Sequence, residues 1–370
     1  MEGPRPVKLE EWESLRELTS IVFRPTLMDQ YPQLFNEDNR ENIIVIVDGG
    51  RCVSHCGMVE RWASILGCSI KVCCIGAVCT LPDYRGRGLA SSTFDYCINK
   101  AYRDGVDLML VSGDRDLYRR QGCLVVGRDQ SFSMTTAVVE PLGVSLIKDP
   151  DENLISRFSA CYQCEGVRFV RIPDDWRWAL QTRWVMDRPS RFYGVSLRDR
   201  LVGYVIAHEP DSSGVIRVAE YAGSRIALLS AFPLIMSDLK GQQIEWTILR
   251  HDNVFAALCE SLGLKANSSP THYTLKIINY SQLMDRMRPY FEERVGPKVA
   301  RSVDFWQKEN RYAIRIGADQ WITDRDSLTR VLFGTVTGEE KALFPADGPI
   351  RSFLESVVPI PTLWYGINYV

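Results

Sequence analysis

The fold of this chain is decided by the stretch Val78-Cys79-Thr80-Leu81-Pro82-Asp83-Tyr84-Arg85-Gly86-Arg87-Gly88-Leu89-Ala90-Ser91. An apolar run that predicts a strand ends here, a turn with two glycines follows, and helical spacing begins at Leu89. The first N–H groups of a helix have no partner within the helix, and its dipole favours an anion at that end. Gly86 and Gly88 allow a ligand to approach the backbone closely, and Arg85 and Arg87 add charge-assisted hydrogen bonds. The pattern therefore predicts a phosphate-binding turn between a strand and a helix.

Several kinds of phosphate-binding turn have this arrangement. A Walker loop requires a lysine, which is absent here. A dinucleotide-binding turn begins directly after its strand and has a third glycine, whereas residues 82–85 intervene here and Ser91 stands in the glycine position. The pyrophosphate loop of GNAT acyltransferases has Gln or Arg, two residues, Gly, one residue, and then Gly or Ala. The residues from Arg85 to Ala90 match that pattern without a gap. The remaining alternative is a surface turn that holds Arg and Gly by chance.

The elements around this turn predict a mixed α/β layer. A helix is expected over residues 9–23, a hairpin over 43–47 and 52–60, a strand over 69–81, a helix from 89 and a strand over 108–111. A similar order recurs over residues 145–275 without a glycine turn, and its helix over 226–239 is expected to be interrupted by Pro233. The last part opens with one predicted amphipathic helix, in which Leu283, Met284, Met287 and Phe291 share a face.

Residues 1 to about 135 resemble a GNAT-type N-acetyltransferase domain. The whole chain resembles the Eis (enhanced intracellular survival) type of acetyltransferase, on the stretches at residues 117–122 and 328–334 and on the apolar C-terminus. The resemblance implies an α/β (α+β) fold class. It consists of tandem GNAT folds, each with a central mixed β-sheet flanked by helices, and a C-terminal sterol-carrier-protein-like α+β domain. The implied domains are a catalytic GNAT domain at 1–140, a degenerate GNAT-like domain at 141–278, and a sterol-carrier-like domain at 279–370 whose end reaches the active site.

The resemblance also implies acetyl-CoA as co-substrate, with pantetheine along the strand and the pyrophosphate on the turn. The implied cofactor-binding residues are Val78, Cys79, Thr80, Arg85, Gly86, Arg87, Gly88, Leu89, Ala90, Ser91, Gly113 and Asp114. Asp114 is unexpected beside a pyrophosphate, because both carry negative charge.

Two catalytic residues are predicted. Tyr118 is the candidate general acid for the departing thiolate, and the alternative is that it only packs in the core. The α-carboxylate of Val370 is the candidate general base, as the resemblance implies. The last fifteen residues, 356–370, have no charged side chain, which predicts a packed tail whose burial raises the pKa of that carboxylate. The alternative is a tail on the surface, with its carboxylate in water.

The predicted function is acetyl transfer from acetyl-CoA to a primary amine, on a small molecule or a lysine. A non-catalytic CoA-binding sensor or scaffold is the alternative, and it would require neither Tyr118 nor the carboxylate of Val370. A third possibility is transfer of a longer acyl group, accommodated at Gly76 and Ala77. The sequence decides neither the amine nor the oligomeric state, and a homo-oligomer stays open.

Composition excludes several other classes of protein. The 370 residues are 24% charged and 45% hydrophobic, which excludes a disordered or fibrous chain. The net charge of −2 creates no field that attracts nucleic acid or an anionic membrane, and no apolar run reaches the roughly 18 residues of a membrane helix. With no apolar signal segment at the N-terminus, we expect a cytoplasmic protein. The eleven cysteines are expected to be mostly buried thiols, Cys161 and Cys164 a chance pair, and no metal site is predicted.

Overall fold

A computed structural model describes residues 1–140, 142–335 and 340–370 of the chain. Its strands are β1 (Glu2–Pro6), β2 (Ile43–Asp48), β3 (Arg51–Ile65), β4 (Cys68–Thr80), β5 (Leu108–Ser112), β6 (Arg128–Met134), β7 (Val144–Lys148), β8 (Val167–Phe169), β9 (Trp184–Val185), β10 (Arg188–Leu197), β11 (Arg200–His208), β12 (Val215–Gly223), β13 (Gln243–Ile248), β14 (Asn267–Pro270), β15 (Tyr273–Ile277), β16 (Val303–Lys308), β17 (Arg311–Ile316) and β18 (Asp319–Thr323).

Helices connect and cover these strands. They are α1 (Trp12–Val22), α2 (Leu27–Gln30), α3 (Leu89–Arg103), α4 (Asp116–Arg120), α5 (Glu152–Gln163), α6 (Pro173–Thr182), α7 (Arg225–Leu239), α8 (Asn253–Ser261), α9 (Tyr280–Arg286), α10 (Arg288–Val295), α11 (Pro297–Arg301), α12 (Arg325–Phe333) and α13 (Pro349–Val357).

The chain forms two compact units. The first contains Met1–Arg128, Pro270–Thr362 and Val370, and the second contains Asp129–Ser269 and Leu363–Tyr369. This division by compactness does not test the predicted boundaries at 1–140, 141–278 and 279–370, which stay predictions.

The first unit is built on a mixed sheet with the strand order β1-β2-β3-β4-β5-β15. Its only parallel pair in that order is β4 with β5, and the other neighbours are antiparallel. The parallel strands are joined through α3, and we call β4–α3–β5 the first crossover. Helix α3 buries Phe94, Cys97 and Ala101 against the sheet, the face that their spacing predicts.

The second unit repeats this arrangement. Its mixed sheet has the order β14-β6-β13-β12-β11-β10-β7, and its parallel pair, β12 with β13, is joined through α7. We call β12–α7–β13 the second crossover. The predicted fold class, a mixed α/β chain with tandem GNAT-like sheets flanked by helices, is confirmed at this level.

Two helix predictions are wrong in detail. Helix α7 runs through Pro233 without interruption, because Phe232 before it and Ile235 after it are buried and their packing outweighs the missing N–H bond. The single helix predicted after residue 279 is two helices, α9 and α10, separated at Met287. The four residues predicted to share its face are nevertheless all buried. The first unit also contains the antiparallel sheet β16-β17-β18.

The cysteines are free thiols, and all but Cys161 and Cys164 are buried. Within the described ranges, no group of three or more His, Cys, Asp or Glu side chains is arranged to hold a metal ion. No helix in the described part of the chain is long and apolar enough to cross a membrane.

Candidate active site

The turn of the first crossover exposes its backbone. Strand β4 ends at Thr80, one 3-10 turn follows at Pro82–Tyr84, and α3 begins at Leu89. Gly86 and Gly88 have φ of +77° and +76°, the left-handed region that strains other residues. A Cβ added at either glycine would meet no heavy atom of the described residues within 4 Å. The start of α3 therefore offers its N–H groups to a ligand without side-chain obstruction.

A cavity of about 630 Å³ adjoins this turn; we call it the loop cavity. Among its lining residues are nine of the predicted cofactor-binding residues: Val78, Cys79, Thr80, Arg85, Gly86, Gly88, Leu89, Ala90 and Ser91. The others are Val22, Tyr84, Arg115, Leu117 and Arg120. The end of β4, the glycine turn, the start of α3 and helix α4 thus surround one space, whose open backbone and arginines suit a phosphorylated ligand.

Three predicted cofactor-binding residues do not line the loop cavity. Arg87 donates to the carbonyl of Asp83 at 3.0 Å, and the carbonyl of Gly113 accepts from Thr274 at 3.2 Å. The Asp114 carboxylate receives two hydrogen bonds from Arg119, at 2.7 and 2.6 Å, and these hold its pKa below the usual range. The negative charge of Asp114, which was unexpected beside a pyrophosphate, is therefore paired with Arg119.

Strands β4 and β5 separate beside the cavity. Their parallel register runs from Val72–Leu108 to Ile75–Val111, while β4 continues to Thr80. Beyond this register β4 contains a bulge, at which Ala77 has φ of +52° and the pairing with β3 shifts. A bulge bends its strand. The edge of β4 over residues 76–80 thus becomes a place where an extended ligand can pair as an added strand.

A buried histidine holds this bulge. His55 Nδ1 lies 2.9 Å from the carbonyl oxygen of Ala77, so this nitrogen donates the hydrogen bond. Complete burial lowers the pKa of His55 to about 4, which keeps the ring neutral at physiological pH. Its Nε2 atom is buried and has no hydrogen-bond partner among the described residues.

The end of the chain lies where the two strands separate. Val370 is 5% exposed, and its backbone oxygen accepts a hydrogen bond of 3.1 Å from Ser112 Oγ, at the end of β5. A Cβ added to Gly76 would lie 2.3 Å from the carbonyl carbon of Val370. Since the φ of Gly76 is outside the left-handed region, the close approach of Val370, and not the backbone, requires glycine here. Val370 therefore occupies the space at Gly76 that the third possibility, transfer of a longer acyl group, assigned to the acyl chain.

The segment before Val370 is packed in the second unit, and the prediction of a packed tail is confirmed. Trp364 Nε1 donates to the carbonyl of Ala219 at 2.6 Å, and the Ile367 N–H donates to the Glu220 carboxylate at 3.0 Å. Glu220 is itself paired at 2.6 Å with Arg171, whose guanidinium is fully enclosed and also donates to Asn368. The tail is thus held by directional bonds as well as by burial of its apolar side chains.

Tyr118 lies in the core and not on the cavity surface. Its side chain is 4% exposed, and its ring centroid is 5.5 Å from that of Phe94. It belongs to the same apolar cluster as Val78, which lines the loop cavity. The neighbouring Leu117 lines the cavity as well. Tyr118 thus belongs to the core that underlies the cavity, and its own side chain does not line the cavity.

Several residues at this site were missed from the sequence. Arg115 and Arg120 line the loop cavity, and Ser112 contacts Val370. A polar residue at the end of the buried run 108–112 was the available signal for Ser112. No such signal exists in the sequence for the arginines. Arg119 lies between them and is the same residue type, yet it does not line the cavity, so residue type alone could not distinguish them.

Comparison with known proteins agrees with this geometry. A family model described as an acetyltransferase (GNAT) domain matches residues 4–126, and domains of that family use acetyl-CoA as co-substrate. A search of curated proteins finds no match.

Solved structures share the fold over most of the chain. A probable N-acyltransferase from Enterococcus faecalis V583 is 13% identical, with a TM-score of 0.67 and 99% of each chain covered. A GCN5-related N-acetyltransferase from Kribbella flavida is 13% identical, with a TM-score of 0.63 and 99% of each chain covered. Eis1 from Mycobacterium abscessus is 14% identical, with a TM-score of 0.62 and 95% of each chain covered. Residues 4–126 therefore carry a GNAT acetyltransferase domain, and the chain as a whole shares the fold of these solved structures.

Proposed function

We propose that this chain transfers the acetyl group of acetyl-CoA to a primary amine by direct attack of the amine on the thioester. Tyr118 acts as general acid, and the terminal carboxylate of Val370 acts as general base. The observation that carries the proposal is the placement of Val370 against Gly76 and Ser112, where β4 and β5 separate.

The co-substrate is bound by the loop cavity. The pyrophosphate is held by the backbone of Gly86 and Gly88 and by Arg85, because N–H groups at a helix start and a guanidinium both favour phosphate oxygens. The pantetheine extends along residues 78–80, where main-chain pairing places no demand on side chains. Bound in this way, acetyl-CoA supplies the thioester that the amine attacks.

The carboxylate of Val370 takes the proton of the amine. A base must lie within about 2.6–3.2 Å of that proton's nitrogen, or be linked to it through one water. The hydrogen bond from Ser112 and the missing Cβ at Gly76 hold the end of the chain in one position. The carboxylate is thus fixed at the point where the two strands separate. An amine that approaches the thioester along β4 comes within its reach.

Tyr118 assists the departing thiolate. Support comes from its place in the cluster that contains Val78, and from helix α4, which also carries the two cavity-lining residues Leu117 and Arg120. A free thiol has a pKa near 8.5, so the leaving thiolate benefits from a proton donor without requiring one. The contribution expected of Tyr118 is therefore moderate.

We further propose that the chain is Eis-like and that residues 279–370 correspond to a sterol-carrier-like domain. The likeness in fold to Eis1 from Mycobacterium abscessus over 95% of the chain supports this assignment. The sheet β16-β17-β18 with its helices supplies the α+β composition expected of such a domain. A cytoplasmic location and a homo-oligomer stay predictions.

An acceptor screen tests the function. Purified protein with acetyl-CoA is offered polyamines, amino sugars and lysine peptides, and release of free thiol is measured. The expected result is turnover with at least one primary amine. A protein that binds CoA and transfers to none of these amines would instead be the CoA-binding sensor.

The two catalytic roles are tested with the best amine. Tyr118→Phe is expected to lower kcat by about 10²–10⁴-fold at most, with CoA affinity unchanged. Adding two residues after Val370 is expected to abolish transfer while CoA still binds, and Val370→Ala, which keeps the carboxylate, is the matched control. An amidated chain made by ligation separates loss of charge from loss of packing. If amidation leaves the rate and its pH profile unchanged, Val370 is not the base.

A further inference from the structure

The loop cavity carries more positive charge than a pyrophosphate requires. Its lining residues include Arg85, Arg115 and Arg120, and no Asp or Glu is among the described residues that line it. Arg85 belongs to the glycine turn and donates to the Thr80 carbonyl at 3.3 Å. Arg115 is the residue before α4, and Arg120 is the last residue of α4. Both therefore come from a different element than the glycine turn. Two cationic side chains thus remain once the turn has bound its own phosphates.

These two arginines differ from the third arginine of the same segment. Arg119 is held by Asp114 through two hydrogen bonds, at 2.7 and 2.6 Å, and does not line the cavity. No described carboxylate forms an ion pair with Arg115 or Arg120, and both side chains are exposed. Arg119, which does not line the cavity, is therefore paired with a carboxylate. Arg115 and Arg120, which do line it, have no ion pair with a described carboxylate.

The charge of Arg115 also reaches the strand that borders the cavity. Burial raises the pKa of the Cys79 thiol to about 12, and the positive charges of Arg115 and Arg85 oppose that rise. Arg115 and Arg85 therefore both act on the end of β4, from α4 and from the glycine turn respectively. An anion in the cavity would have guanidinium groups on two different elements.

We propose that Arg115 and Arg120 bind a second phosphate of the ligand, the ribose 3′-phosphate monoester of CoA, and so select CoA over dephospho-CoA. This inference rests on the proposed function, because it takes the pyrophosphate to lie on the glycine turn. Arginine suits the task because its planar group forms paired hydrogen bonds with phosphate oxygens. A phosphate monoester carries about −1.5 to −2 charges at pH 7, which matches two guanidinium groups.

Calorimetric titration with CoA and with dephospho-CoA, at equal pH and ionic strength, tests this inference. The wild-type chain is expected to bind CoA about tenfold to a hundredfold more tightly, the worth of hydrogen bonds to a charged group. The double variant Arg115→Gln/Arg120→Gln is expected to bind both nucleotides with the affinity that the wild type has for dephospho-CoA. Arg119→Gln is the matched control, from the same segment and of the same residue type, and is expected to keep the wild-type ratio.

The outcomes separate this inference from the proposed function. Equal binding of the two nucleotides by the wild type, or a preference for CoA that survives the double variant, overturns the 3′-phosphate assignment and leaves the proposed function standing. Loss of the preference in Arg119→Gln also overturns it, because general charge and not the cavity would then be responsible. Failure to bind either nucleotide overturns the proposed function together with this inference.

Discussion

The first and second crossovers have the same order of elements and differ in what connects strand to helix. In the first, residues 81–88 lie between β4 and α3 and include the two left-handed glycines. In the second, Ser224 alone joins β12 to α7. A long glycine connection leaves the helix start open to a ligand, whereas a connection of one residue holds the helix start against the sheet.

A protein carboxylate occupies the helix start of the second crossover. Glu165 accepts from the Gly223 N–H at 3.3 Å and pairs at 2.6 Å with Arg225, the first residue of α7. Burial raises the pKa of Glu165, but hydrogen bonds from His251 and Arg225 outweigh it and hold that pKa below the usual range. Asp252 pairs with the same guanidinium at 2.6 Å. The anion beside this helix start is thus a protein side chain, bound by the N–H at the end of β12 and by the guanidinium of the first helical residue.

The bulges of the two central strands differ in a related way. In the second unit, β12 shifts register with β11 at Ala219, and the tail binds there through Trp364. In the first unit, the bulge of β4 lies beside Val370 and the loop cavity. The comparison indicates that two features decide whether this fold can bind a co-substrate: the connection between strand and helix in the crossover, and the side chains at the bulge. The order of elements does not decide it.

The largest effect is expected from blocking the approach of Val370. Gly76→Ala places a Cβ 2.3 Å from the carbonyl carbon of Val370 and so displaces the proposed base. We expect kcat to fall by about 10²–10⁴-fold, with CoA affinity unchanged. Steady-state kinetics and calorimetry measure the two effects. In a chain that lacks Val370, the same substitution is expected to cost nothing further, and an additional loss there would mean that Gly76 acts in another way.

The next effect is on stability, in the second crossover. Arg225→Met leaves the Glu165 and Asp252 carboxylates without their cation, and breaking such a buried pair costs about 3–5 kcal/mol. Urea unfolding measures this loss, and CoA affinity is expected to be unchanged. Arg217→Met is the matched control, because Arg217 is 43% exposed and its pair with Asp211 should contribute at most about 1 kcal/mol. Equal losses in the two variants would contradict a special role for the second helix start.

A smaller effect is expected at the glycine turn. Gly88→Ala adds a methyl group in the open space at the start of α3 and strains a left-handed position. We expect CoA affinity to fall by about tenfold to a hundredfold, as expected for lost hydrogen bonds to a charged group. Gly50→Ala, at φ +80° in the β2–β3 turn and likewise without a neighbour within 4 Å, carries the same strain away from the cavity. Similar CoA affinities for the two variants would remove Gly88 from the binding site.

Local patterns made much of the first crossover predictable. Alternating and helical apolar spacing identified β4 and α3, and the glycines identified a turn that approaches a phosphate. These signals work because strand, turn and helix start are neighbours in sequence. The same reasoning found the tail buried, since fifteen residues without a charged side chain are stable only when packed.

Contacts between distant residues were not predictable. Gly76 and Val370 lie far apart in sequence, and nothing near Gly76 shows that another segment requires the space of its side chain. Which arginine of α4 lines the cavity depends on the orientation of a five-residue helix and on the pairing of Arg119 with Asp114. The continuity of α7 through Pro233 depends on tertiary packing, which overrides the local preference of proline.

The smallest effect concerns acid stability and compares the two units through their buried histidines. The pKa values of His55, at the bulge of β4, and His208, at the end of β11, are each lowered by burial to about 4. Between pH 6.5 and 4 each of these two histidines therefore binds more protons in the unfolded chain than in the folded one, so the contribution of each to stability falls as pH falls through this window. For His55 the loss between pH 8 and pH 5.5 is about 1 kcal/mol.

His55→Asn tests this directly, because the amide of asparagine can still donate to the Ala77 carbonyl while carrying no titrating group. Urea unfolding at pH 8 and pH 5.5 should show the difference between the two pH values reduced by about 1 kcal/mol relative to wild type. His208→Asn should reduce it by a similar amount, and because the two histidines belong to different units, the double variant should show the sum of both reductions. His272, which is exposed, provides His272→Asn as the control that leaves the difference unchanged. An unaltered pH dependence in His55→Asn would mean that His55 takes up a proton in the folded chain, and the bulge of β4 would then need a different explanation.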